Sequence, residues 1–479
     1  MRPLVWFRSD LRVRDNHALH HACERATDGV VAVYVISADQ WREEHDIGAP
    51  KVDFLLRCVR ELSVSLGKLN IPLRVLDVPR FDGVPDALLA LARTCDCSAI
   101  FFNNEYEWNE RERDAAVADV FQRAGKGVHG FTDQVVFTPG DVLTKSDTWY
   151  TVYSPFKKRW RERYKDDDAP SCLPTPKRQR QLDIEADNVP ETIDGFDFGA
   201  ENVRPDLWKA GEDHALSRLD AFVGSRIDEY KSKRDIPSVN GTSTLSPYLH
   251  AGVVSPRQCL EAALEANNGR IDTGSAGIVG WIEELIWREF YKHVLVGFSH
   301  VSRGQPFKKK LDRVNWSYSK KNFAAWQEGR TGYPIVDAAM RQLAQTGWMH
   351  NRLRMIVAMF LTKDLMIDWR WGERHFMQQL VDGDLASNNG GWQWSASTGT
   401  DAQPYFRIFN PTTQGEKFDK DGTFIKKFVP ELGSLSGKAL HSPSRAGLFE
   451  KLDYPEPIVD HKAAREKTLA AFKEAAGSG

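Results

Sequence analysis

The chain has 479 residues, 41% of them hydrophobic and 27% charged, which is enough to bury large cores in two domains. Its 64 lysines and arginines nearly balance 66 aspartates and glutamates, so binding of nucleic acid would require a local basic patch. The six cysteines show no C-x-x-C spacing, and no apolar run is as long as a membrane span. These features predict a cytoplasmic protein with reduced thiols and argue against a zinc site, secretion and membrane insertion.

Residues 1–137 alternate between strand-like and helical patterns. The apolar, β-rich runs lie at 4–7, 30–37, 73–78, 99–106 and 128–137. The helical patterns between them lie at 16–25, 51–69, 84–94 and 109–124. Near-continuous apolar strands joined by helices predict right-handed βαβ units and a parallel sheet. No G-x-G-x-x-G motif follows the first strand, so the common dinucleotide fingerprint is missing here.

The second half of the chain has a different pattern. A polar stretch from about 165 to 205 is typical of a linker, and we assign 138–205 to an interdomain linker. Beyond it strand signals are scarce, and helical spacing recurs at 206–230, 278–296, 334–345, 348–365 and 372–381. We therefore predict an all-α domain over 206–479. Nine of the fifteen tryptophans lie between Trp281 and Trp394, which favours a role for some of them besides packing.

The segment from Asp382 to Trp394 reads DGDLASNNGGWQW and combines two carboxylates, an asparagine pair and two tryptophans with almost no apolar periodicity. Such a segment is typical of a site rather than a core. It suits a planar redox group, because carboxylates bind hydroxyls or a ring N–H, an amide binds a ring nitrogen, and indoles stack or pass electrons. Calcium is excluded because Ala386 occupies the fifth position of the loop and no glycine occupies the sixth. We predict no metal.

The helix at 278–296 places Glu284, Trp287 and Tyr291 on one face. A carboxylate beside an indole suits an aromatic ligand with a hydrogen-bonding edge. The alternative is that Glu284 only pairs with Arg288 on a solvated surface. The basic run that follows is either a solvated face or, because aromatics are interleaved with it, a nucleic-acid surface. This run comprises Arg288, Lys292, His293, Arg303, Lys308, Lys309, Lys310 and Arg313.

Two further segments carry polar groups at predicted helix starts. Asn351 and Arg352 begin the helix at 348–365, on the same face as Met355, and favour a phosphate or a base edge there. The hydroxyl-rich stretch 242–246 precedes a second helical pattern and would suit a phosphate cradle. Clusters of serine and threonine are also common as caps and turns, so this signal is weak alone.

Six motifs together resemble the bacterial class I cyclobutane pyrimidine dimer photolyases of the photolyase/cryptochrome family. They are FRSDLRVRDN, GTSTLSPYLHAGVVSPRQ, WIEELIWREFY, GYPIVDAAMRQL, TGWMHNRLRM and DGDLASNNGGWQWSASTGTDAQPYFRIFNPTTQG. The resemblance implies an α/β, Rossmann-like antenna domain over 1–137 and an all-α domain that binds FAD. It also implies light-driven repair of UV-damaged DNA, in which photoexcited FADH⁻ passes an electron to a flipped-out dimer and regains it after the ring has split.

The resemblance implies a set of flavin contacts, matched motif by motif. Asp382 and Asp384 would hold the ribityl chain and the ring edge, Arg354 would pair with Asp382, and Asn388 would face the flavin N5. The contacts to the phosphates and the ring surroundings would be Tyr230, Thr242, Ser243, Thr244, Leu245, Ser246 and Trp281. The family usually has arginine where this chain has Thr244.

The same resemblance implies how the lesion is bound. The lesion pocket would be lined by Glu284, Trp287, Asn351, Met355 and Trp394. Contacts to DNA would come from Arg234, Glu284, Arg288, Asn351, Arg352 and Gln414. Glu284 in a partly dry pocket is expected to have a raised pKa and to donate a hydrogen bond to a thymine carbonyl. Trp392, Trp369 and Trp316 match the family's electron-hopping chain from the flavin to the surface.

An antenna chromophore is also implied. His45, Asn109 and Glu110 match the positions that hold 5,10-methenyltetrahydrofolate, although the family's Cys-Lys pair reads Ser302-Arg303 here. An 8-hydroxy-5-deazaflavin or a second flavin is the alternative. We expect a monomer. The rival interpretations are a cryptochrome photoreceptor, a (6-4) photolyase, which has histidines where this chain has Asn351 and Met355, and a flavin electron-transfer protein that does not bind DNA.

Overall fold

The structure is a computed structural model that describes residues 1–166, 171–443 and 452–477. The chain divides into two compact units, neither of them continuous in sequence. The first unit contains Met1–Asp228, Ser243–Ser299 and Val381–Asp384, and the second contains Glu229–Thr242, His300–Leu380 and Leu385–Gly479. The sequence placed a boundary at residue 205, where the composition changes. The structure instead assigns much of 206–299 to the first unit.

The first unit is built on the predicted parallel sheet, which the structure confirms. Its five strands are β1 Pro3–Phe7, β2 Val31–Ile36, β3 Leu73–Asp77, β4 Ala99–Asn103 and β5 Gly127–Phe131. Their order is β3-β2-β1-β4-β5 and all neighbours are parallel. The central strands read as continuous apolar runs because helices cover both faces of such a sheet. The last strand ends six residues before its predicted end.

Nineteen α-helices are found in the part of the chain that the structure describes. In chain order they are α1 His17–Arg25, α2 Ala49–Lys68, α3 Val84–Thr94, α4 Trp108–Arg123, α5 Tyr153–Lys165, α6 Glu212–Ser225, α7 Tyr230–Lys233, α8 Ser246–Ala251, α9 Pro256–Ala266, α10 Ala276–Gly297, α11 Lys320–Gln327, α12 Pro334–Thr346, α13 Asn351–Met359, α14 Trp369–Gln379, α15 Leu385–Ala396, α16 Pro411–Phe418, α17 Thr423–Phe428, α18 Gly437–His441 and α19 His461–Gly477. None of the described helices is long and apolar enough to span a bilayer.

The predicted linker is part of the first unit rather than a free connection. It contains α5, and the chain after it follows the edge of the sheet. There the amide of Gln179 donates to the carbonyl of Leu69 at 2.8 Å, and the amide of Asp187 donates to that of Leu73 at 2.8 Å. Leu182 is buried in the core around β1 and β2. The polar composition of the predicted linker therefore reflects its exposed outer side, while a few of its residues pair with the sheet.

The second unit is helical, as predicted, and its core is rich in tryptophan. Trp316, Trp326, Trp369 and Trp392 all belong to one buried cluster. Helix α15 was not predicted from periodicity, because its buried side carries the polar residues Asn388, Asn389 and Gln393 and so gives no apolar stripe. A π-helical turn at Phe360–Asp364 continues α13.

Candidate flavin and lesion site

The predicted site residues are divided between the two units. The first unit holds His45, Asn109, Glu110, Ser243, Thr244, Leu245, Ser246, Trp281, Glu284, Trp287, Arg288, Asp382 and Asp384. The second holds Tyr230, Arg234, Thr242, Trp316, Asn351, Arg352, Arg354, Met355, Trp369, Asn388, Trp392, Trp394 and Gln414.

In the first unit, Asp384 is a buried carboxylate surrounded by cations. It is 8% exposed, and Lys292 Nζ lies 3.1 Å from its Oδ2 while also reaching Glu107 Oε1 at 3.3 Å. Burial raises the pKa of Asp384, but Lys292 and then His250 outweigh it and hold the pKa well below its usual range. Lys51 fixes the neighbouring backbone, since its Nζ donates to the carbonyl of Gly383 at 2.8 Å. An ionised acceptor for a hydroxyl or a ring N–H is therefore fixed in place.

The hydroxyl-rich stretch forms a turn before α8, which has only six residues. Trp281 Nε1 donates to Ser243 Oγ at 3.4 Å, so two predicted flavin contacts lie together. Thr244 has a positive φ of 51°, a strained conformation for a β-branched residue. Arg218 of α6 reaches this turn and donates to Thr244 Oγ1 at 2.5 Å. Sequence reasoning missed Arg218, because it lies 26 residues from the turn and in no motif.

The predicted face of α10 is observed. Glu284, Trp287 and Tyr291 are half-buried, while Ile286 and Phe290 on the other side are fully buried. The Trp287 indole stacks on Tyr153 of α5, with ring centroids 3.6 Å apart and planes 13° apart. This stack covers one face of the indole and fixes its plane.

Part of the predicted basic surface is wrong. Lys292 and His293 are buried, and Arg288 donates to the backbone carbonyls of Gln134 and Leu249 in the first unit. The guanidinium of Arg288 therefore stabilises the fold, and its predicted contact with DNA stays a prediction. The run also crosses from one unit to the other after Ser299. A charge run cannot show which sides of a helix are buried, and α10 is buried over much of its circumference.

In the second unit, three predicted DNA contacts are brought onto neighbouring elements. Arg352 pairs with Asp235 at 2.9 Å, next to Arg234, and its guanidinium lies 4.5 Å from the centre of the Phe418 ring. Gln414 lies one turn before Phe418 on α16. The N-cap of α13 is His350, whose side chain accepts from the amide of Arg352. Asn351 begins α13 and is exposed, and Met355 is half-buried one turn later.

Asn388 is buried on α15 with its amide held in one orientation. Its Nδ2 donates to the carbonyl of Glu373 at 2.9 Å, which leaves Oδ1 as an acceptor. The next residue, Asn389, donates to the carboxylate of Glu373 at 2.8 Å and accepts from Gln393 at 2.9 Å. Arg354 Nε donates to the carbonyl of Met349 at 2.8 Å. Its predicted pairing with Asp382 stays a prediction.

The three predicted electron-transfer tryptophans are all buried. Trp392 packs edge-on against Trp326, with centroids 6.0 Å apart. Trp316, the predicted surface end, is 6% exposed and packs edge-on against Phe472 of α19 at 5.9 Å. Trp394 follows on α15 and is half-buried.

The three predicted antenna residues lie together in the first unit. His45 Nε2 is 3.2 Å from Asn109 Nδ2, and His45 Nδ1 is 3.6 Å from Glu110 Oε1. Burial, then Lys51 and Arg113, lower the pKa of His45 to about 4. Burial, then Glu107 and Glu105, raise the pKa of Glu110 to about 8. At neutral pH this cluster therefore presents a neutral imidazole and a protonated carboxyl group, both able to hydrogen-bond to a heterocycle.

Comparison with known proteins agrees with this architecture. Residues 3–177 match the family model described as DNA photolyase, and residues 281–474 match the FAD binding domain of DNA photolyase. The deoxyribodipyrimidine photo-lyase of Salmonella typhimurium is 47% identical over 98% of both chains. A class III photolyase from Agrobacterium tumefaciens superposes with a TM-score of 0.89, at 36% identity over 100% of this chain and 98% of that chain. An archaeal photolyase from Sulfolobus tokodaii, solved with two FAD molecules, has a TM-score of 0.81, at 30% identity over 99% and 100%.

An α/β sheet unit joined to a helical unit that carries most of an FAD-binding domain defines a class of flavin-dependent proteins. The chain belongs to the DNA photolyase family.

Proposed function

We propose that this chain is a deoxyribodipyrimidine photo-lyase, a carbon–carbon lyase that binds UV-damaged DNA and uses light to split cyclobutane pyrimidine dimers. The observation that carries the proposal is the 47% identity to a protein of that name over 98% of the chain. The residues fit a bound FAD. Asp384 offers an anionic acceptor, Ser243 and Thr244 offer hydroxyls beside Arg218, and Asn388 offers a fixed amide oxygen.

When bound in its reduced form and excited by light, the flavin supplies the electron that splits the dimer. The residues of the chain hold the reactants. Tyr230, Thr242, Leu245, Ser246, Arg354 and Asp382 complete the proposed flavin contacts. Trp392, Trp369 and Trp316, which share one buried cluster, are assigned to electron supply from the protein.

We assign lesion binding to Glu284, Trp287, Asn351, Met355 and Trp394. Stacking of an extruded base on an indole contributes roughly 1–3 kcal/mol per base, which offsets the few kcal/mol of unstacking. Glu284, if protonated, donates a hydrogen bond to the thymine carbonyl on which negative charge develops. Arg234, Arg352 and Gln414 are assigned to contact DNA, and phosphate contacts of the two arginines make binding salt-dependent.

The antenna proposal rests on the cluster of His45, Asn109 and Glu110. We propose that it binds 5,10-methenyltetrahydrofolate, with 8-hydroxy-5-deazaflavin or a second flavin as the alternatives. The photolyase from Sulfolobus tokodaii was solved with two FAD molecules, so the second flavin has a precedent among the relatives. An absorption spectrum of the purified protein and of the chromophore released from it distinguishes the three.

The function is tested by illuminating the chemically reduced protein with an oligonucleotide that carries one thymine dimer and following the recovery of thymine absorbance. We expect recovery in blue light and none in the dark. A protein that binds flavin but leaves the dimer intact under illumination would contradict the proposed repair of cyclobutane dimers.

Glu284→Ala examines the proposed hydrogen bond. We expect the repaired fraction per absorbed photon to fall further than the affinity for dimer-containing DNA, because the bond strengthens only as charge develops on the thymine. Equal losses in repair and in binding would contradict this role. Arg352→Ala serves as the comparison, with a loss of affinity that decreases as salt is raised.

A further inference from the structure

An arginine from a helix earlier in the sequence contacts the turn at residues 243–246. Arg218 of α6 donates from Nη1 to Thr244 Oγ1 at 2.5 Å. Its guanidinium carbon lies 5.4 Å from the centre of the Tyr248 ring and 6.0 Å from that of Trp208. Two aromatic rings and one hydroxyl therefore hold a half-buried guanidinium at the turn, and such cation–π contacts limit its freedom before any ligand binds.

Thr244 serves as an anchor for this guanidinium. Its hydroxyl donates to the carbonyl of Ser243 at 2.7 Å, while its oxygen accepts from Arg218. The hydroxyl proton of Thr244 is therefore used within the turn. Arg218 carries five N–H donors in a planar fork, more than its bonds to Thr244 and Tyr248 use, and such a fork matches the oxygens of a phosphate.

The charges around Arg218 favour an anion. Among the residues that the structure describes, no carboxylate forms an ion pair with Arg218, whose partners are the Thr244 hydroxyl, Tyr248 and Trp208. Arg226 is the C-cap of α6, about two turns after Arg218. Its pKa is lowered first by burial and then by the positive charge of Arg218, so two like charges lie at this end of the helix. A bound dianion would relieve this repulsion and accept hydrogen bonds from Arg218.

We propose that Arg218, anchored on Thr244 and assisted by Arg226, binds the pyrophosphate of FAD. The two arginines would supply from α6 and its C-terminal end the positive charge that the family usually carries at position 244. This inference rests on the proposed function, since it specifies how the same cofactor is held.

The test is the affinity of the full-length protein, freed of flavin, for FAD and for riboflavin, which has no phosphate. Loss of a charge-assisted hydrogen bond lowers affinity about 10- to 100-fold. We therefore expect Arg218→Ala to lower the affinity for FAD by that factor and to leave the affinity for riboflavin unchanged. Arg226→Ala should lower the affinity for FAD less. The double variant Arg218→Ala/Thr244→Arg should regain most of the lost affinity, because the charge is returned from the turn itself.

Arg74→Ala is the matched control, because Arg74 lies in the same unit but pairs with Asp187. This substitution should leave the affinity for FAD unchanged. Arg218→Gln, which keeps a hydrogen-bond donor and removes the charge, replaces Arg218→Ala if the latter unfolds. Equal affinity of wild type and Arg218→Gln for FAD, or a parallel loss for FAD and riboflavin, would overturn the inference. A wild-type protein that binds no FAD would instead overturn the proposed function.

Discussion

At the scale of single residues, burial has removed the ordinary negative charge of Glu110, which lies in the cluster with His45 and Asn109. Glu110 lies near Glu105 and Glu107, and burial together with these two charges raises its pKa to about 8, although Arg113 opposes the shift. In the unfolded chain it titrates near its ordinary value of 4.5. The folded protein therefore binds a proton that the unfolded chain has released, and this stabilisation is present below pH 4.5 and is lost as the pH rises to 8.

Glu110→Gln reproduces the neutral carboxyl group without its titration. We expect wild type and variant to have similar free energies of unfolding at pH 4, and the variant to be more stable by roughly 2–4 kcal/mol at pH 9. Urea unfolding at several pH values, followed by circular dichroism, measures the difference. Glu112→Gln, at an exposed glutamate of the same helix, is the control for the loss of one carboxylate. A difference for Glu110→Gln that does not grow with pH would contradict the raised pKa.

Tyr153 determines the plane of Trp287. Its ring stacks on the indole at 3.6 Å, and its hydroxyl donates to the carbonyl of Glu283 at 2.7 Å. An aromatic pair of this kind contributes about 0.5–1.5 kcal/mol beyond area burial. We expect Tyr153→Leu to weaken binding of dimer-containing DNA about 3- to 10-fold without changing the affinity for undamaged DNA, and Tyr153→Phe to behave like wild type.

Titration of labelled duplexes with and without a dimer makes this measurement. Tyr164→Leu is the control, since Tyr164 stacks on Trp160 of the same helix rather than on Trp287. If the tyrosine stack only packs the core, both leucine variants should lower thermal stability and neither should change the preference for damaged DNA.

At the scale of elements, helices α14 and α15 are joined by a glycine contact. A Cβ on Gly372 of α14 would overlap the Trp392 ring of α15, whereas a Cβ on Gly391 of α15 would meet nothing within 4 Å. We expect Gly372→Ala to lower the free energy of unfolding by about 1–3 kcal/mol through overpacking. Gly391→Ala should raise it by about 0.5–1 kcal/mol through helix propensity. Denaturant unfolding of the two variants in parallel measures both changes in the free energy of unfolding. A Gly372→Ala variant as stable as wild type would show that the indole can shift.

The elements differ in how well the sequence predicted them. The strands β1 to β4 and helix α3 were predicted within a few residues, because their apolar periods record burial directly. Helix α15 was not, since Asn388, Asn389 and Gln393 are buried by hydrogen bonds rather than by apolar packing. The cluster of His45, Asn109 and Glu110 was predicted by resemblance alone, from two segments about 64 residues apart. Arg218 and Tyr153 were missed because their partners are distant in sequence and periodicity does not report tertiary contacts.

At the scale of the whole molecule, the first unit depends on residues far beyond the sheet. Arg257 of α9 reaches Asp15 at 3.0 Å and Asp133 at 2.8 Å, and Arg12 also reaches Asp133 at 2.6 Å. All four side chains are buried. Asp15 also accepts from the amide of Leu173 at 2.9 Å. The sheet, the predicted linker and α9 therefore share one ion cluster, which explains why a composition boundary at residue 205 does not divide the fold.

Arg257→Met examines this assembly, because it keeps most of the side-chain volume and leaves two buried carboxylates with one cation between them. Removing one member of a buried ion pair costs about 3–5 kcal/mol, and we expect the unfolding transition of the first unit to fall by that amount at pH 7. Arg12, and then Arg257, hold the pKa of Asp133 at about 2 against the effect of burial. Its contribution is therefore present above pH 3.8 and lost as the pH falls through 2, so the difference between variant and wild type should shrink in acid.

Arg74→Met, which breaks the partly exposed pair with Asp187, is the control and should lower the free energy of unfolding by less than about 1 kcal/mol. Equal effects of the two substitutions would show that the ion cluster does not hold the three segments together.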